Sequence, residues 1–516
     1  MTSNVPSSPA DSAEKTASFG GAVAGILPSD SKRPKPSWVG IAIGAGLFII
    51  CLVGLFTSPT TVVAGIWCIA MMLVLMFLSV PVALSLAVPS LIGIYAISGI
   101  PATINILSTS PFHSVSKWSY SVLPMFILMG MLLTSSGMTE RIYRATDRWF
   151  GWLPGGIGVG TTAAGAGLAS VSGSTIGMTY ALGRAGIPEM LRSGYDRRIA
   201  VGTVIIAGLP GNLIPPSILM VIYAGIASVP VGPQLMAGAL PGILIAVCFG
   251  IFLIIIGTVA PQLVGRGKGQ RSERVQVTWK DRFASLAEIW GFPVIMIVLF
   301  GGMFSGVFTP TEAGAAAALV ALILCLLYQR KNKPFGKVAE AAMNTVSATA
   351  AIFFIMIGAE MLTKLLAITG LAPVMTDFIT GLGLNRISFL LVLIVLYVIM
   401  GMFFDTLSMM LLTIPILLPT LEVMEVSPVW FGVFVVLLGE LGLITPPVGL
   451  LSYIVHKLGQ DPKVNVGHSI SLRDVFTSLL WFLPIVVLFL ALMIVWPEMT
   501  EILPNIMENN SGGAVE

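Results

Sequence analysis

The chain has 516 residues, of which 56% are hydrophobic and only 10% are charged, and its mean hydropathy is +0.95. This composition excludes a soluble globular protein and is typical of a membrane protein with many spanning helices. The net charge of +3 gives no reason to expect a nucleic-acid partner. The four cysteines lie in apolar segments, without the spacing of a metal site or a disulfide framework.

Residues 1–37 are rich in Ser, Pro and Ala without apolar periodicity, so we expect a disordered, solvated tail. Three cations, Lys32, Arg33 and Lys35, separate this tail from the first apolar run. That run begins too late for a signal peptide. The positive-inside rule therefore places the N-terminus in the cytoplasm.

Eleven apolar segments meet or approach the roughly 20 residues that a spanning helix needs. They lie at 38–57, 61–79, 81–98, 119–135, 200–226, 233–259, 287–305, 309–328, 346–366, 428–456 and 476–496. Two further stretches, 155–188 and 386–423, break at small or polar residues and are predicted to be re-entrant hairpins. The basic loops 137–154, 189–199, 260–286, 329–345 and 457–475 all fall on the cytoplasmic side of this arrangement. The C-terminus is then periplasmic.

Two similar stretches interrupt apolar segments, Gly211–Ser217 with Pro215-Pro216 and Gly442–Val448 with Pro446-Pro447. The residue numbers of the two double prolines differ by a repeat offset (446 − 215 = 231), and the same offset carries Ser174 onto Asp405. Adjacent prolines remove two amide donors, which predicts a broken membrane helix with exposed carbonyls. Residues 119–226 and 346–456 therefore read as two copies of one unit. The loop charges orient them oppositely, as in secondary transporters with inverted repeats.

The two hairpin turns carry the candidate chemistry. The first turn, Ala169–Thr175, offers hydroxyls and freed carbonyls that suit a small cation such as Na+; the alternative is close packing of small residues. The second turn, Gly401–Thr406, contains Asp405, which either binds a cation or caps the following half-helix. Glu360 and Lys364 are predicted to form a structural ion pair, and Glu312 to start a helix.

The sequence lacks the residues that ATP-driven transport or serine hydrolysis would need. No ATP-binding signature occurs, so transport needs an ion gradient or a partner. Ser172-Gly173-Ser174 superficially resembles a serine-hydrolase turn, but no histidine or lysine lies at matching depth to act as its base. We therefore expect no enzyme activity.

The chain resembles the large membrane subunit of the tripartite ATP-independent periplasmic (TRAP) transporters, the DctM-like family, from about residue 62 to 497. The motifs that carry the resemblance are Ser172–Thr175, Ile187–Met190, Gly194–Asp196, Leu213–Ser217, Thr309–Ala313, Gly401–Phe403 with Asp405-Thr406, Pro415–Pro419 and Thr445–Gly449. The resemblance implies Na+-coupled uptake of an organic acid across the bacterial inner membrane. It also implies an elevator mechanism and two partners, a small four-helix subunit (DctQ-like) and a periplasmic binding protein (DctP-like).

The resemblance also implies site residues. The first Na+ site would use Ser172, Ser174, Thr175, Gly211, Asn212 and Pro215, and the second Asp405, Thr406, Gly442, Thr445 and Pro446. A carboxylate substrate would sit between the hairpin tips, at Ser172, Gly173, Ser174, Asp405 and Thr406, where half-helix N-termini favour an anion. We expect no cofactor besides Na+, which would be the coupling ion. We also expect membrane lipid to surround the spanning helices.

The implied organisation is a tail (1–37), an extra helix (38–60), scaffold helices (61–118), repeat 1 (119–226, hairpin 155–188, broken helix 200–226), scaffold helices with a cytoplasmic linker (227–345), repeat 2 (346–456, hairpin 386–423, broken helix 428–456), and a last helix with an outer tail (457–516). The tail and extra helix depart from the family, as does Asn212, where a small or aliphatic residue is expected. The alternative function is an autonomous anion transporter or exchanger without a binding protein.

Overall fold

A computed structural model describes residues 38–265, 277–447 and 449–511 of the chain. The predicted tail 1–37, the basic residues of the linker at 266–276, Val448 and residues 512–516 lie outside the described residues. Every regular element in the described ranges is helical, apart from one isolated antiparallel bridge between Tyr195 and Val264. The predicted all-α membrane fold is confirmed.

The described residues of the first half of the chain form ten α-helices. They are α1 (Trp38–Phe56), α2 (Thr61–Phe77), α3 (Val82–Val115), α4 (Val122–Ser135), α5 (Met138–Phe150), α6 (Gly156–Ser172), α7 (Thr175–Arg192), α8 (Arg197–Ala207), α9 (Ile218–Ala227) and α10 (Val231–Val259). A short 3-10 turn at Leu209–Asn212 lies between α8 and α9. Helices α6 and α7 form hairpin 1, and residues 208–217 between α8 and α9 are break 1.

The described residues of the second half form twelve. They are α11 (Trp279–Glu288), α12 (Gly291–Phe304), α13 (Pro310–Tyr328), α14 (Pro334–Thr369), α15 (Leu371–Gly381), α16 (Arg386–Gly401), α17 (Thr406–Val423), α18 (Pro428–Ile444), α19 (Leu450–Leu458), α20 (Pro462–Asn465), α21 (Leu472–Val495) and α22 (Ile502–Ser511). One of them, α12, contains a π-helical turn at Ile297–Gly301. Helices α16 and α17 form hairpin 2, and residues 445–449 between α18 and α19 are break 2.

The predicted span 81–98 ends where the structure breaks, because Gly99 (φ 76°) leaves helical geometry and a second helical segment then continues α3 to Val115. Two other predictions differ from the structure. Helix α14 has 36 residues and takes in part of the predicted loop 329–345. The predicted outer tail is not merely a tail, since α22 packs on α10, with Met507 beside Gly232.

By length and apolar composition, eight helices in the described ranges could cross a membrane, or up to ten if two bent helix pairs each count as one span. One of the eight is α17, which the sequence predicts to be a hairpin arm rather than a crossing. Length and composition do not separate these two roles. The number of eleven crossings stays a prediction.

The centre of the molecule is built from the two broken helices. Every residue of α18 from Trp430 to Ile444 is buried, and so is every residue of α8 from Ile199 to Ala207. A helix that is apolar all round must be surrounded by protein or lipid, and here the surroundings are other helices. This packing buries most of break 1, whereas break 2 continues from the buried α18 to the exposed Pro447.

The two halves of the chain share their spacing. Helices α7 and α17 are related by the repeat offset both at their first residues (406 − 175) and at their last (423 − 192). The starts of α8 and α18 have the same separation (428 − 197). Each hairpin is preceded by a separate helix, α5 or α15, and followed by a broken helix.

Each hairpin closely approaches the broken helix that follows it, at equivalent glycines. A Cβ on Gly211 would lie 2.7 Å from the Ser170 nitrogen, and a Cβ on Gly442 would lie 2.5 Å from the Gly401 Cα. Both glycines therefore allow backbone to approach backbone, which no side chain permits. The repeat offset relates Gly211 to Gly442 (442 − 211) and Ser170 to Gly401 (401 − 170).

The contact predicts the effect of a single methyl group. Gly442→Ala should destabilise the protein by about 1–3 kcal/mol, because the new Cβ meets backbone that cannot move aside. A matched control is Gly250→Ala on α10, where the new Cβ would lie 3.8 Å from Val159. Thermal unfolding of both purified variants in detergent measures the difference. Equal melting temperatures would show that hairpin 2 and α18 do not pack this way.

Candidate functional site

The tip of hairpin 1 is a turn between two helix ends. Helix α6 ends at Ser172, and Gly173 adopts the left-handed conformation (φ 61°) that commonly follows a helix. Ser174 then caps α7, its hydroxyl accepting a hydrogen bond from the Gly177 N–H at 3.2 Å. The Ser172 hydroxyl is buried and has no hydrogen-bond partner within the described part of the chain. Three of the predicted site residues thus lie at one point.

The tip of hairpin 2 repeats this capping arrangement with a carboxylate. Asp405 caps α17, and its side chain accepts hydrogen bonds from the Ser408 N–H at 3.2 Å and from the Ser408 hydroxyl. The donors Gly177 and Ser408 are again related by the repeat offset (408 − 177). Of the two roles open for Asp405, the capping role is confirmed. Direct binding of a cation stays a prediction.

The two breaks differ in how their backbone is satisfied and exposed. In break 1 the Asn212 carbonyl accepts the Ser217 hydroxyl at 2.5 Å, and Pro215 is buried. In break 2 the Ile444 carbonyl accepts the Ser452 hydroxyl at 3.2 Å, whereas Pro447 is exposed. Both Pro-Pro peptide bonds are cis. The Ser217 hydroxyl therefore satisfies the Asn212 carbonyl, which Pro216 cannot bond as an amide would in a continuous helix, and the Ser452 hydroxyl satisfies the carbonyl at the end of α18.

A buried carboxylate joins the two halves. Glu440 on α18 is 2% exposed. Its Oε2 accepts the Thr175 hydroxyl at 2.8 Å, and its Oε1 accepts the Asn212 side-chain amide at 2.8 Å and the Thr406 hydroxyl at 3.3 Å. Asn212 also donates to the Thr175 hydroxyl oxygen at 2.5 Å. The Glu440 side chain thus contacts the first residues of α7 and α17, the second helices of the two hairpins. It also contacts Asn212 in break 1.

This cluster brings three of the predicted site residues into contact with one carboxylate. Thr175 and Asn212 contact Glu440 from the first half of the chain, and Thr406 contacts it from the second. Ser174 and Asp405 immediately precede the two threonines in sequence. Thr445 and Pro446, which follow Gly442 in the chain, are only half-buried. The hairpin tips therefore converge near the buried Glu440 carboxylate.

Residues 69–499 match the family described as the tripartite ATP-independent periplasmic transporter, DctM component. The chain belongs to the DctM family.

Named relatives agree with this membership. The chain is 27% identical over 449 residues to the C4-dicarboxylate TRAP transporter large permease protein DctM of Vibrio cholerae, covering 82% of this chain and 96% of the relative. It is 28% identical over 432 residues to the sialic acid TRAP transporter large permease protein SiaM of the same organism, covering 84% and 96%. The solved YdaH transporter of Alcanivorax borkumensis shares its fold, with a TM-score of 0.58, 16% identity and coverage of 85% and 98%.

The role of Glu440 in this DctM-family chain was missed in the sequence. It is the only charged residue between Glu425 and His456, inside an otherwise apolar segment. An ionisable residue at membrane depth is by default a functional candidate. The depth of Asp405 in an apolar segment makes it such a candidate, and the same reasoning holds for Glu440. The expected ion pair of Glu360 with Lys364 (3.7 Å) and the helix-start role of Glu312 are both confirmed.

Two threonines one turn apart on α7 test the cluster. Thr175→Val removes a hydroxyl that serves both Glu440 and Asn212, and should destabilise the DctM-family protein by about 1–3 kcal/mol. Thr179→Val removes a fully buried hydroxyl that has no partner in the described ranges, and should be neutral or stabilising. Thermal unfolding of the two variants gives the comparison. A larger loss in Thr179→Val would contradict the cluster.

Proposed function

We propose that this chain is the large membrane subunit of a Na+-coupled transporter that imports a small organic acid. The observation that supports it most directly is the convergence of two equivalent hairpin tips and break 1 on one buried carboxylate. Membership of the DctM family supports the tripartite organisation. The chain would act without enzymatic chemistry and without a cofactor besides the coupling ion.

The proposed coupling ion is Na+. Both hairpin tips present hydroxyl or carboxylate oxygens beside the interrupted helices, at Ser172, Ser174, Asp405 and Thr406. Interrupted helices in transporters coordinate Na+ through unwound backbone carbonyls. The proposed sites keep the two residue sets given above, hairpin 1 with break 1 and hairpin 2 with break 2. The Asn212 and Ile444 carbonyls already accept serine hydroxyls, which leaves the carbonyls' second lone pairs for an ion.

The proposed substrate is a small carboxylate. Helices α7 and α17 begin at Thr175 and Thr406, so their N-termini lie close to the same carboxylate, Glu440. Free N–H groups and the helix dipole favour an anion at such ends. The relatives named above carry C4-dicarboxylate and sialic acid in their names, both of which are carboxylates. Substrate would bind between the tips, with Gly173 allowing close approach.

The proposed setting is the bacterial inner membrane, with an N-terminus in the cytoplasm and a C-terminus in the periplasm. Large apolar side chains are exposed along several long helices, which suits contact with lipid or a small four-helix partner subunit. Examples are Ile104, Leu107, Val346, Phe354, Leu480 and Leu488. A periplasmic binding protein would deliver the substrate. The hairpins and broken helices would move as an elevator against the remaining helices.

Reconstitution tests the proposal. The chain is placed in proteoliposomes with the small subunit and binding protein encoded beside it, and succinate and sialic acid are supplied as labelled probes. We expect uptake only with an inward Na+ gradient, because the tips offer oxygen ligands and the sequence carries no ATP-binding signature. Equal uptake with K+ in place of Na+ would overturn the coupling. Uptake by the purified chain alone would instead favour an autonomous transporter.

Site variants locate the ion. Asp405→Asn and Ser174→Ala should each raise the Na+ concentration for half-maximal effect about tenfold, equivalent to ~1.4 kcal/mol. Asparagine caps helices about as well as aspartate, so Asp405→Asn should keep its melting temperature in the absence of Na+. Na+ is titrated against thermal unfolding, with choline as the balancing cation. Unchanged Na+ dependence in both variants would remove the two site assignments.

A further inference from the structure

Within the described residues, Glu440 has no positive partner to balance its charge. It is 2% exposed, and no Lys, Arg or His in those ranges forms an ion pair with it. A buried carboxylate without a cation is costly even when it is hydrogen-bonded. Three hydrogen bonds from neutral groups reduce this cost but supply no charge. The carboxylate therefore favours a cation nearby.

The two oxygens of this carboxylate bond to different hairpin tips. Oε2 accepts the Thr175 hydroxyl at the tip of hairpin 1. Oε1 accepts the Thr406 hydroxyl at the tip of hairpin 2, together with the Asn212 amide. A threonine that donates its proton to a carboxylate has lone pairs left over as an acceptor. At Thr406 these lone pairs can face a cation, and at Thr175 one of them already accepts Asn212.

Asn212 fixes the carboxylate in place. It donates both to Oε1 of Glu440 and to the Thr175 hydroxyl, so it links the two oxygens across the cluster. The small or aliphatic residue expected at this position could not do so. The carboxylate cannot shift toward one hairpin without changing its bond to the other.

We propose that Glu440 is a positioning residue shared by the two cation sites, and that it couples binding at one hairpin to binding at the other. This inference rests on the proposed Na+ coupling. A cation beside Ser174 or Asp405 attracts the carboxylate and alters the hydroxyl on the opposite tip. Coupling of this kind is reciprocal, so each site changes the Na+ affinity of the other by the same factor.

A double-mutant cycle tests the coupling without assuming its sign. Ser174→Ala perturbs the first site and Asp405→Asn the second. Half-saturating Na+ concentrations are measured by equilibrium binding of radioactive Na+ to the purified full-length chain, for the single and double variants. With Glu440 present, the combined effect should differ from the product of the single effects by about fivefold or more. In Glu440→Gln, which keeps the size and one oxygen, the effects should multiply.

The effect of the Glu440 charge on Na+ affinity is measured separately. Glu440→Gln should raise the half-saturating Na+ concentration about 5- to 150-fold, whereas Glu440→Asp, which keeps the charge on a shorter side chain, should recover part of that loss. The matched control is Glu360→Gln, which removes a partly buried carboxylate that is paired with Lys364 and should leave Na+ binding unchanged. A merely structural Glu440 would lower stability without changing the additivity of the cycle.

The outcomes separate this inference from the proposed function. If the unaltered chain binds no Na+, the proposed coupling ion and this inference both fall. If the chain binds Na+ and the cycle stays non-additive in Glu440→Gln, only the inference is overturned. Should Glu440→Gln fail to fold, the same cycle in Thr406→Val, which cuts the link to hairpin 2, decides the matter. Additive effects there support the coupling, and non-additive effects reject it.

Discussion

An apolar interior cannot leave backbone polar groups without partners, and this constraint shapes the whole site. Each double proline removes amide donors in the middle of a long apolar segment. In lipid such a segment would be unstable, so both broken helices are packed within protein. The structure meets the need locally. The Ser217 hydroxyl donates a hydrogen bond to the Asn212 carbonyl, and the Ser452 hydroxyl donates one to the Ile444 carbonyl.

The same constraint explains why the hairpin tips lie where they do. A broken helix needs neighbours close enough to exclude lipid, and the glycines at 211 and 442 let the hairpin backbone approach to contact distance. The tips in turn need caps, because the first N–H groups of α7 and α17 have no partners within their helices. Ser174 and Asp405 supply them. The site thus follows from satisfying the backbone, with ligand oxygens left at the same place.

The repeat could be predicted from the sequence, but the contacts between its two copies could not. The repeat offset relates Ser174 to Asp405, and the structure gives both the same capping role. Local signals such as a capping residue or a double proline are readable because their physics acts within one turn. The bond between Thr175 and Glu440 joins residues 265 apart in sequence, and no local pattern predicts it. The predicted end of the span 81–98 coincides with Gly99, a local signal whose positive φ breaks helical geometry within α3.

The place where the two halves differ is also informative. By the repeat offset, Glu440 corresponds to Leu209 and Asn212 to Leu443, so neither member of the central pair is repeated. A second carboxylate at position 209 would bring like charges together in a buried space, and each would disfavour the other. One carboxylate serving two equivalent threonines avoids that repulsion. The capping frame is therefore duplicated whereas the fully buried carboxylate at its centre is single, and the amide of Asn212 supplies a neutral donor that holds it.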